Sequence, residues 1–227
     1  MKEAAPAGGG FLPASPLFTR IKVWYDGFTD TRTNAPEEKG CVQMDTCTVD
    51  RIRTMAEWLR VRRLYGKAFP PGEKKPFGVI VRMWRRGKTD VWCFRQGGRF
   101  AGFASTINSD RLIMIDYLAV PETMRGRGIG ARAMAAICDA YADKGVFVEI
   151  ESPFDEGDDQ LERIRRKAFY ERCGFTPSRT MADVFGVRYE LMCRRCSVDY
   201  ETYHAFYREQ YSAWAAEHIT PAPYPDK

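Results

Sequence analysis

The apolar positions of this chain follow two periods, one typical of strands and one typical of helices. Short apolar runs bounded by turn residues predict strands at about 47–53, 89–95, 99–107, 111–120, 146–151, 177–185 and 187–195. Apolar residues at helical spacing predict helices at about 54–67, 76–86, 129–144, 160–173 and 199–217. Gly87, Gly145 and Gly174 are expected to end three of these helices.

The order of these elements predicts a mixed sheet. Three strands in the first half follow one another as a meander, and Gln96-Gly97-Gly98 forms its first turn. The strand, helix and strand between residues 111 and 151 predict a right-handed crossover that places two strands parallel. The last two strands flank Gly186 as a hairpin. The chain is therefore predicted to be an α/β protein whose mixed sheet is flanked by helices.

The two ends of the chain differ from its centre. Residues 1–16 contain the run Gly8-Gly9-Gly10 and lack apolar periodicity, and residues 17–48 are ambiguous, with strand composition at residues 21–25. We therefore expect residues 1–46 to be an N-terminal extension that is largely disordered or irregular. Met44 is an alternative start. Residues 47–196 are predicted to form the domain, and residues 197–227 an extra C-terminal helix and tail. That helix is expected to pack on the domain or on a second subunit of a homodimer through its aromatic residues Tyr200, Tyr203, Phe206, Tyr207, Tyr211 and Trp214.

Composition and charge narrow the class of protein. With 227 residues, 44% of them hydrophobic, the chain can bury one sizeable core. Its formal charge of +5 favours an anionic ligand such as a nucleotide, but the charge is too diffuse for a nucleic-acid partner to be expected. No leader and no run approaching ~20 apolar residues is found, so we expect no membrane partner and a cytoplasmic location.

The cysteines and histidines do not predict a metal site. Seven cysteines are an odd number, and they are expected to be reduced thiols. Cys193-x-x-Cys196 has the spacing of a redox or zinc pair, but no second cysteine pair accompanies it, and the only histidines are His204 and His218. We therefore expect no metal cofactor.

A glycine-rich loop, Arg125-Gly126-Arg127-Gly128-Ile129-Gly130-Ala131, joins a predicted strand to the next helix. The first N–H groups of a helix lack partners and the helix dipole adds partial positive charge, so this loop is predicted to bind phosphate oxygens. The spacing Gly126-x-Gly128-x-x-Ala131 also fits a dinucleotide fingerprint. The residues from Pro121 to Arg125 separate the strand from the first glycine, and the chain ends in a hairpin, which argues against that alternative.

Three segments follow one another along the chain: Tyr117-Leu118-Ala119-Val120-Pro121, Arg125-x-x-Gly128-x-Gly130, and Ala168-Phe169-Tyr170-Glu171-Arg172-Cys173-Gly174-Phe175. Together they resemble the signature segments of the GNAT (Gcn5-related N-acetyltransferase) superfamily. The resemblance covers residues 47–195, most of the chain. It implies a sheet of six to seven strands that splays open between strands 4 and 5, with acetyl-CoA in the gap.

The resemblance also implies which residues hold the coenzyme. The backbone of Leu118, Ala119 and Val120 is expected to bond to the pantetheine arm, and the N–H group of Val120 is our candidate donor to the acyl oxygen. The pyrophosphate is expected at Arg125, Gly126, Arg127, Gly128, Ile129, Gly130 and Ala131.

Tyr170 matches the tyrosine that, in the family, hydrogen-bonds the coenzyme sulfur and protonates the departing thiolate. In its predicted helix, Leu161, Ile164 and Ala168 form an apolar stripe that is expected to face the core. At ~100° per residue, Tyr170 falls nearly opposite that stripe. Cys173 as a nucleophile has little support, because direct attack of the amine needs no covalent enzyme intermediate.

Carboxylates are the candidates for the general base. Glu149 and Glu151 share one face of a strand whose other face is Val146, Val148 and Ile150, and burial would raise their pKa. Asp116 on the preceding strand is a third candidate. The alternatives are a solvated strand end, an ion pair with Arg165 or Arg166, and proton transfer through water.

These observations predict an N-acetyltransferase that transfers an acetyl group from acetyl-CoA to a primary amine of a small molecule or peptide, by direct attack in a ternary complex. The alternative is a non-catalytic acyl-CoA-binding sensor or scaffold. The segment from Phe69 to Phe77 and the acidic loop from Pro153 to Asp159 are expected to border the entrance for the amine.

Overall fold

The structure is a computed structural model that describes residues 46–69 and 74–225. The strands are β1 (Cys47–Arg51), β2 (Thr89–Gln96), β3 (Arg99–Asn108), β4 (Leu112–Ala119), β5 (Gly145–Glu151), β6 (Thr176–Val184), β7 (Val187–Arg194) and β8 (Ile219–Ala222). The helices are α1 (Met55–Ala68), α2 (Phe77–Arg85), α3 (Ile129–Ala140), α4 (Gln160–Arg172), α5 (Tyr200–Gln210) and α6 (Ala213–Glu217). The N-terminal extension predicted for residues 1–46 lies outside the described residues except for Thr46, and so does Met44.

The strands form one mixed sheet in the order β1-β2-β3-β4-β5-β7-β6-β8. Among the described strands only β4 and β5 are parallel, which confirms the predicted α/β fold with a mixed sheet. The predicted number of six to seven strands is wrong, because β8 pairs with β6 from Val184↔Ile219 to Met181↔Ala222 and makes eight. A four-residue strand containing Pro221 has almost no sequence pattern, and it is tolerated here because β8 lies at the edge of the sheet.

The predicted C-terminal helix is two helices with a break between them. Tyr211 and Ser212 lie outside helical structure, and the Ser212 side chain accepts a hydrogen bond from the N–H of Ala215 at the start of α6. Serine favours such a cap over a position inside a helix. The break turns the chain so that β8 can reach the sheet.

The sheet opens between β4 and β5, as predicted. The two strands pair from Leu112↔Gly145 to Ile115↔Val148 and then diverge. Asp116 forms a bulge at this point, because Ile115 pairs with Thr106 and Tyr117 pairs with Ser105 on β3. The later residues of β4 and β5 therefore border a gap, which we call the β4–β5 gap.

The two faces of the sheet are covered by different helices. Val148 and Ile150 of β5 pack with residues of α3 and α4. Phe147 points the other way and packs edge-on against Tyr203 and Phe206 of α5. We call these sides the α3 face and the α5 face; α1 and α2 cover β2 to β4 on the α5 face. No helix in the described residues is long and apolar enough to span a bilayer.

Helix α4 turns a different side to the core than its apolar stripe predicts. Leu161 is 69% exposed and Ile164 is 47% exposed, whereas Phe169 and Tyr170 are fully buried. The Phe169 and Tyr170 rings pack edge-on against each other, and Tyr170 also packs on Phe175. Two adjacent aromatic rings bury more apolar area than the aliphatic residues of the stripe, so they set the orientation of the helix. Tyr170 therefore points into the protein.

Candidate active site

The glycine-rich loop leaves the end of β4 and enters α3 without a side-chain cap. Gly126 and Gly128 have φ angles of 74° and 69°, which favour glycine, and α3 begins at the next residue, Ile129. The N-cap residue of α3, Gly128, provides no side-chain cap, and the first turn of α3 contains no acidic residue. Arg125 donates a hydrogen bond to the carbonyl of Val120 at 3.4 Å. The N-terminus of α3 is thus suited to bind an anion.

The backbone of β4 runs from the gap to this loop. Leu118, Ala119 and Val120 are buried, and beyond Ile115 the strand has no pairing with β5 in the described structure. An extended ligand can pair with such an open strand side through backbone hydrogen bonds.

Tyr170 lies on the α3 face, in the cluster that contains Leu118, Val120 and Ile150. Its side chain is 0% exposed, and its hydroxyl group has no hydrogen-bond partner within residues 46–69 and 74–225. Burial raises the pKa of Tyr170 far above its usual value, so the hydroxyl keeps its proton at neutral pH. A buried hydroxyl without a partner is rare in proteins and points to a ligand atom that accepts from it.

Glu149 lies on the α5 face and is 2% exposed. Its Oε1 atom accepts hydrogen bonds from the hydroxyl groups of Tyr203 at 2.6 Å and Tyr207 at 2.7 Å. Burial raises the pKa of Glu149 to about 7, while the two tyrosine hydrogen bonds act in the opposite direction. A carboxyl group with this pKa is half ionised at neutral pH and can both take up and release a proton.

Asp116, at the bulge, is held in an ion pair. The Lys75 ammonium group lies 2.6 Å from Asp116 Oδ1 and donates to the Tyr211 hydroxyl at 2.7 Å. Tyr65 donates to the Lys75 carbonyl, and the Lys75 N–H donates to Tyr117. Asp116 is therefore part of a buried polar group that joins β4, the segment before α2 and the C-terminal end of α5.

Glu151 follows Glu149 on the same side of β5 and is 5% exposed. Among the described residues it forms no hydrogen bond or ion pair, and its Oε1 atom is fully buried. Burial rules out a solvated strand end for both glutamates. Neither of them is paired with Arg165 or Arg166, the ion-pair partners considered from the sequence.

Comparison with known proteins assigns this chain to a protein family. The sequence profile of the acetyltransferase (GNAT) family matches residues 58–175, more than half of the chain. The chain belongs to the GNAT family. No curated protein matches its sequence.

Solved structures share the GNAT fold of this chain. A protein of Bacteroides thetaiotaomicron assigned to the GNAT family superposes with a TM-score of 0.58 at 20% identity, over 74% of this chain and 98% of that chain. NAA60 of Arabidopsis thaliana in complex with acetyl-CoA gives 0.52 at 15% identity, over 66% and 98%. The ribosomal-protein-S18-alanine N-acetyltransferase of Escherichia coli gives 0.51 at 15% identity, over 69% and 97%. At these identities the likeness extends to the fold alone.

The cysteines of this GNAT protein are free thiols in the described structure. Burial raises the pKa of Cys173 to about 11, which disfavours the thiolate that a nucleophile needs. Cys193 is buried at the end of β7, and the Cys196 thiol lies 3.6 Å from the carbonyl of Val146. Within the described residues, no group of three or more potential ligands is arranged to hold a metal ion.

Sequence reasoning missed four residues beside the gap: Lys75, Tyr203, Tyr207 and Tyr211. The three tyrosines are spaced by four residues, which places them on one side of a helix, and this pattern was available in the sequence. Lys75 lies in the segment from Phe69 to Phe77 that was expected to border the entrance, but its pairing had no signal, because its ion pair with Asp116 joins residues 41 positions apart.

Proposed function

We propose that this GNAT protein is an N-acetyltransferase that moves an acetyl group from acetyl-CoA to a primary amine by direct attack in a ternary complex. One observation supports the proposal: the α3 face of the sheet holds a buried tyrosine hydroxyl without a hydrogen-bond partner in the described residues, and the α5 face holds a carboxyl group on β5 whose pKa is raised to about 7. An acid for the leaving group and a base for the nucleophile are the two groups that this reaction needs.

The residues around the gap fit acetyl-CoA. The uncapped N-terminus of α3, with Arg125 and Arg127 beside it, suits the pyrophosphate, which the loop from Arg125 to Ala131 would hold. Leu118, Ala119 and Val120 lie along the open side of β4, where their backbone would bond to the pantetheine arm. The partnerless hydroxyl of Tyr170 suits a sulfur atom as acceptor. Acetyl-CoA supplies the thioester carbon that the amine attacks.

Each face of the gap then supplies one of the two proton transfers, uptake on the α5 face and donation on the α3 face. Tyr203 and Tyr207 donate hydrogen bonds to Glu149 Oε1 and stabilise its ionised form, which takes a proton from the amine and becomes neutral. Tyr170 gives its proton to the departing thiolate. The Val120 N–H group would donate to the acyl oxygen as charge develops on it. No enzyme side chain forms a covalent bond.

The test is the release of free thiol from acetyl-CoA in the presence of a panel of primary amines. Tyr170→Phe should lower kcat by about 100-fold, because a positioned acid contributes on that scale, while the affinity for coenzyme A stays the same. Tyr200→Phe is the matched control, since that hydroxyl donates to the carbonyl of Ile219 at the start of β8.

Two results would contradict the proposal. Coenzyme binding without thiol release for every amine would favour a non-catalytic acyl-CoA sensor or scaffold. Equal kcat values for Tyr170→Phe and the wild type would show that Tyr170 is not the acid of the reaction.

A further inference from the structure

Three buried carboxylates border the gap on the α5 face, and they differ in their partners. Asp116 is paired with Lys75, and Glu149 accepts two tyrosine hydrogen bonds. Glu151 alone of the three has no hydrogen bond or ion pair to any residue in the described part of the chain. A carboxylate that is 5% exposed is stabilised only when a cation or a hydrogen-bond donor reaches it.

Three cations, those of Arg163, Arg188 and Lys75, are engaged with groups other than Glu151. Arg163 donates to the carbonyl of Ser152, the residue after Glu151, at 2.9 Å. Arg188 donates to Asp183 at 3.0 Å. The ammonium group of Lys75 is ion-paired with Asp116. No described cation is thus paired with Glu151, and its charge is left for a group that comes from outside the described residues.

The loop that follows β5 adds to the negative charge. Glu156 and Asp158 are exposed, and no ion pair neutralises either of them in the described residues. Asp155 makes a long ion pair of 3.9 Å with Arg188, and Arg188 also pairs with Asp183 at 3.0 Å. An acidic rim of this kind attracts cations and raises their local concentration at the entrance.

We propose that Glu151 binds a second cationic group of the acceptor, so that the acceptor is a diamine. This inference rests on the proposed function, because Glu149 is the group that receives the proton of the reacting amine. The two glutamates are two residues apart on one strand, so their side chains leave the backbone about 6–7 Å apart. An alkyl chain of a few methylene groups spans that distance between two nitrogen atoms. Glu151 is then a specificity residue that takes no part in proton transfer.

The experiment compares two acceptors of equal length, 1,4-diaminobutane and 4-aminobutan-1-ol, by calorimetry with coenzyme A present. The wild type should bind the diamine at least about 10-fold more tightly, and Glu151→Gln should abolish that preference. Glu217→Gln, on the exposed side of α6, removes the same charge and should keep the preference. In the thiol-release assay, Glu151→Gln should raise KM for the diamine about 10-fold and leave kcat and its pH profile unchanged.

Several outcomes would overturn this inference. Equal binding of both acceptors by the wild type would do so, and so would a preference that survives in Glu151→Gln. A loss of kcat towards both acceptors would place Glu151 in proton transfer instead. Preferential diamine binding without thiol release would contradict the proposed acetyl transfer while it supports the role of Glu151, so the two failures are distinguishable.

Discussion

The two faces of the β4–β5 gap are built in different ways. On the α3 face, the proposed anion site is made from consecutive residues, 125–131, and continues directly from β4. On the α5 face, the polar groups come from the segment before α2, from β4, from β5 and from α5. Lys75 and Tyr211, which contact each other, are 136 positions apart. A contiguous site depends on local backbone geometry, whereas the dispersed site depends on the correct packing of α5.

This difference suggests that the α5 face is the more sensitive of the two to mutation of a single contact. The ion pair of Lys75 with Asp116 is buried, and each partner also contacts Tyr211. Breaking a buried pair leaves one charge without compensation, which costs far more than losing a surface ion pair.

The largest expected effect is that of Lys75→Met. It leaves the Asp116 carboxylate buried and unpaired, so the free energy of unfolding should fall by about 3–5 kcal/mol. Lys75 lowers and Asp116 raises the pKa of Glu149, so the pKa of Glu149 should also rise above about 7. The acid limb of kcat/KM against pH should move to higher pH. Urea unfolding and the pH profile measure the two effects.

The double variant Lys75→Met with Asp116→Asn is the control, because it removes both charges and should restore most of the stability. Coenzyme affinity should stay unchanged in both variants, since neither residue lies on the α3 face. A single variant as stable as the wild type would contradict the importance of the ion pair.

The next effect concerns the α3 face. Gly128→Glu puts a carboxylate at the proposed pyrophosphate site and should lower the affinity for coenzyme A at least about 100-fold, as measured by calorimetry. The backbone at Gly128 has a φ of 69°, so the variant also carries strain of about 1–2 kcal/mol. Gly98→Glu has a similar φ of 75° in the turn after β2 and open space around it, so it controls for that strain.

Unchanged coenzyme affinity in Gly128→Glu would show that the pyrophosphate lies elsewhere. A similar loss of affinity in both variants would assign the effect to backbone strain. Either result would contradict the proposal that the coenzyme site is contiguous in sequence while the acceptor site is dispersed.

The same distinction explains how far sequence reasoning reached. The mixed sheet and its opening follow from the order of elements and from the family resemblance, both of which depend on contiguous segments. The orientation of α4 was mispredicted, because Phe169 and Tyr170 outweigh the stripe of Leu161 and Ile164 in buried area. The short edge strand β8 had too few residues to show a period.

For the site, the sequence indicated Glu149, Glu151 and Asp116 as candidate bases but did not separate their roles. What separates them is their partners: two tyrosines for Glu149, Lys75 for Asp116 and none in the described residues for Glu151. These partners come from segments distant in sequence. Contacts of that kind follow from the packing of the whole sheet, which no local pattern encodes.

The smallest expected effect tests the assignment of Glu149 as the base. Tyr207→Phe removes one of the two donors to Glu149 Oε1 and so disfavours the ionised form. A hydrogen bond to a charged group contributes about 1.5 kcal/mol, so the pKa of Glu149 should rise by up to about one pH unit. The acid limb of kcat/KM should shift upward by the same amount. Tyr211→Phe is the matched control, because that hydroxyl contacts Asp116 and Lys75 but does not bond to Glu149.

The free energy of unfolding should depend on pH through the same titration of Glu149. The pKa of Glu149 is raised from 4.5 in the unfolded chain to about 7 in the folded protein, so its contribution to stability is complete below pH 4.5 and is lost as pH rises to about 7. In Tyr207→Phe that loss should extend to higher pH, as measured by urea unfolding across pH 4 to 9. If Tyr207→Phe and Tyr211→Phe shift the activity profile equally, the titrating base is a different group, and the α5 face acts through its packing alone.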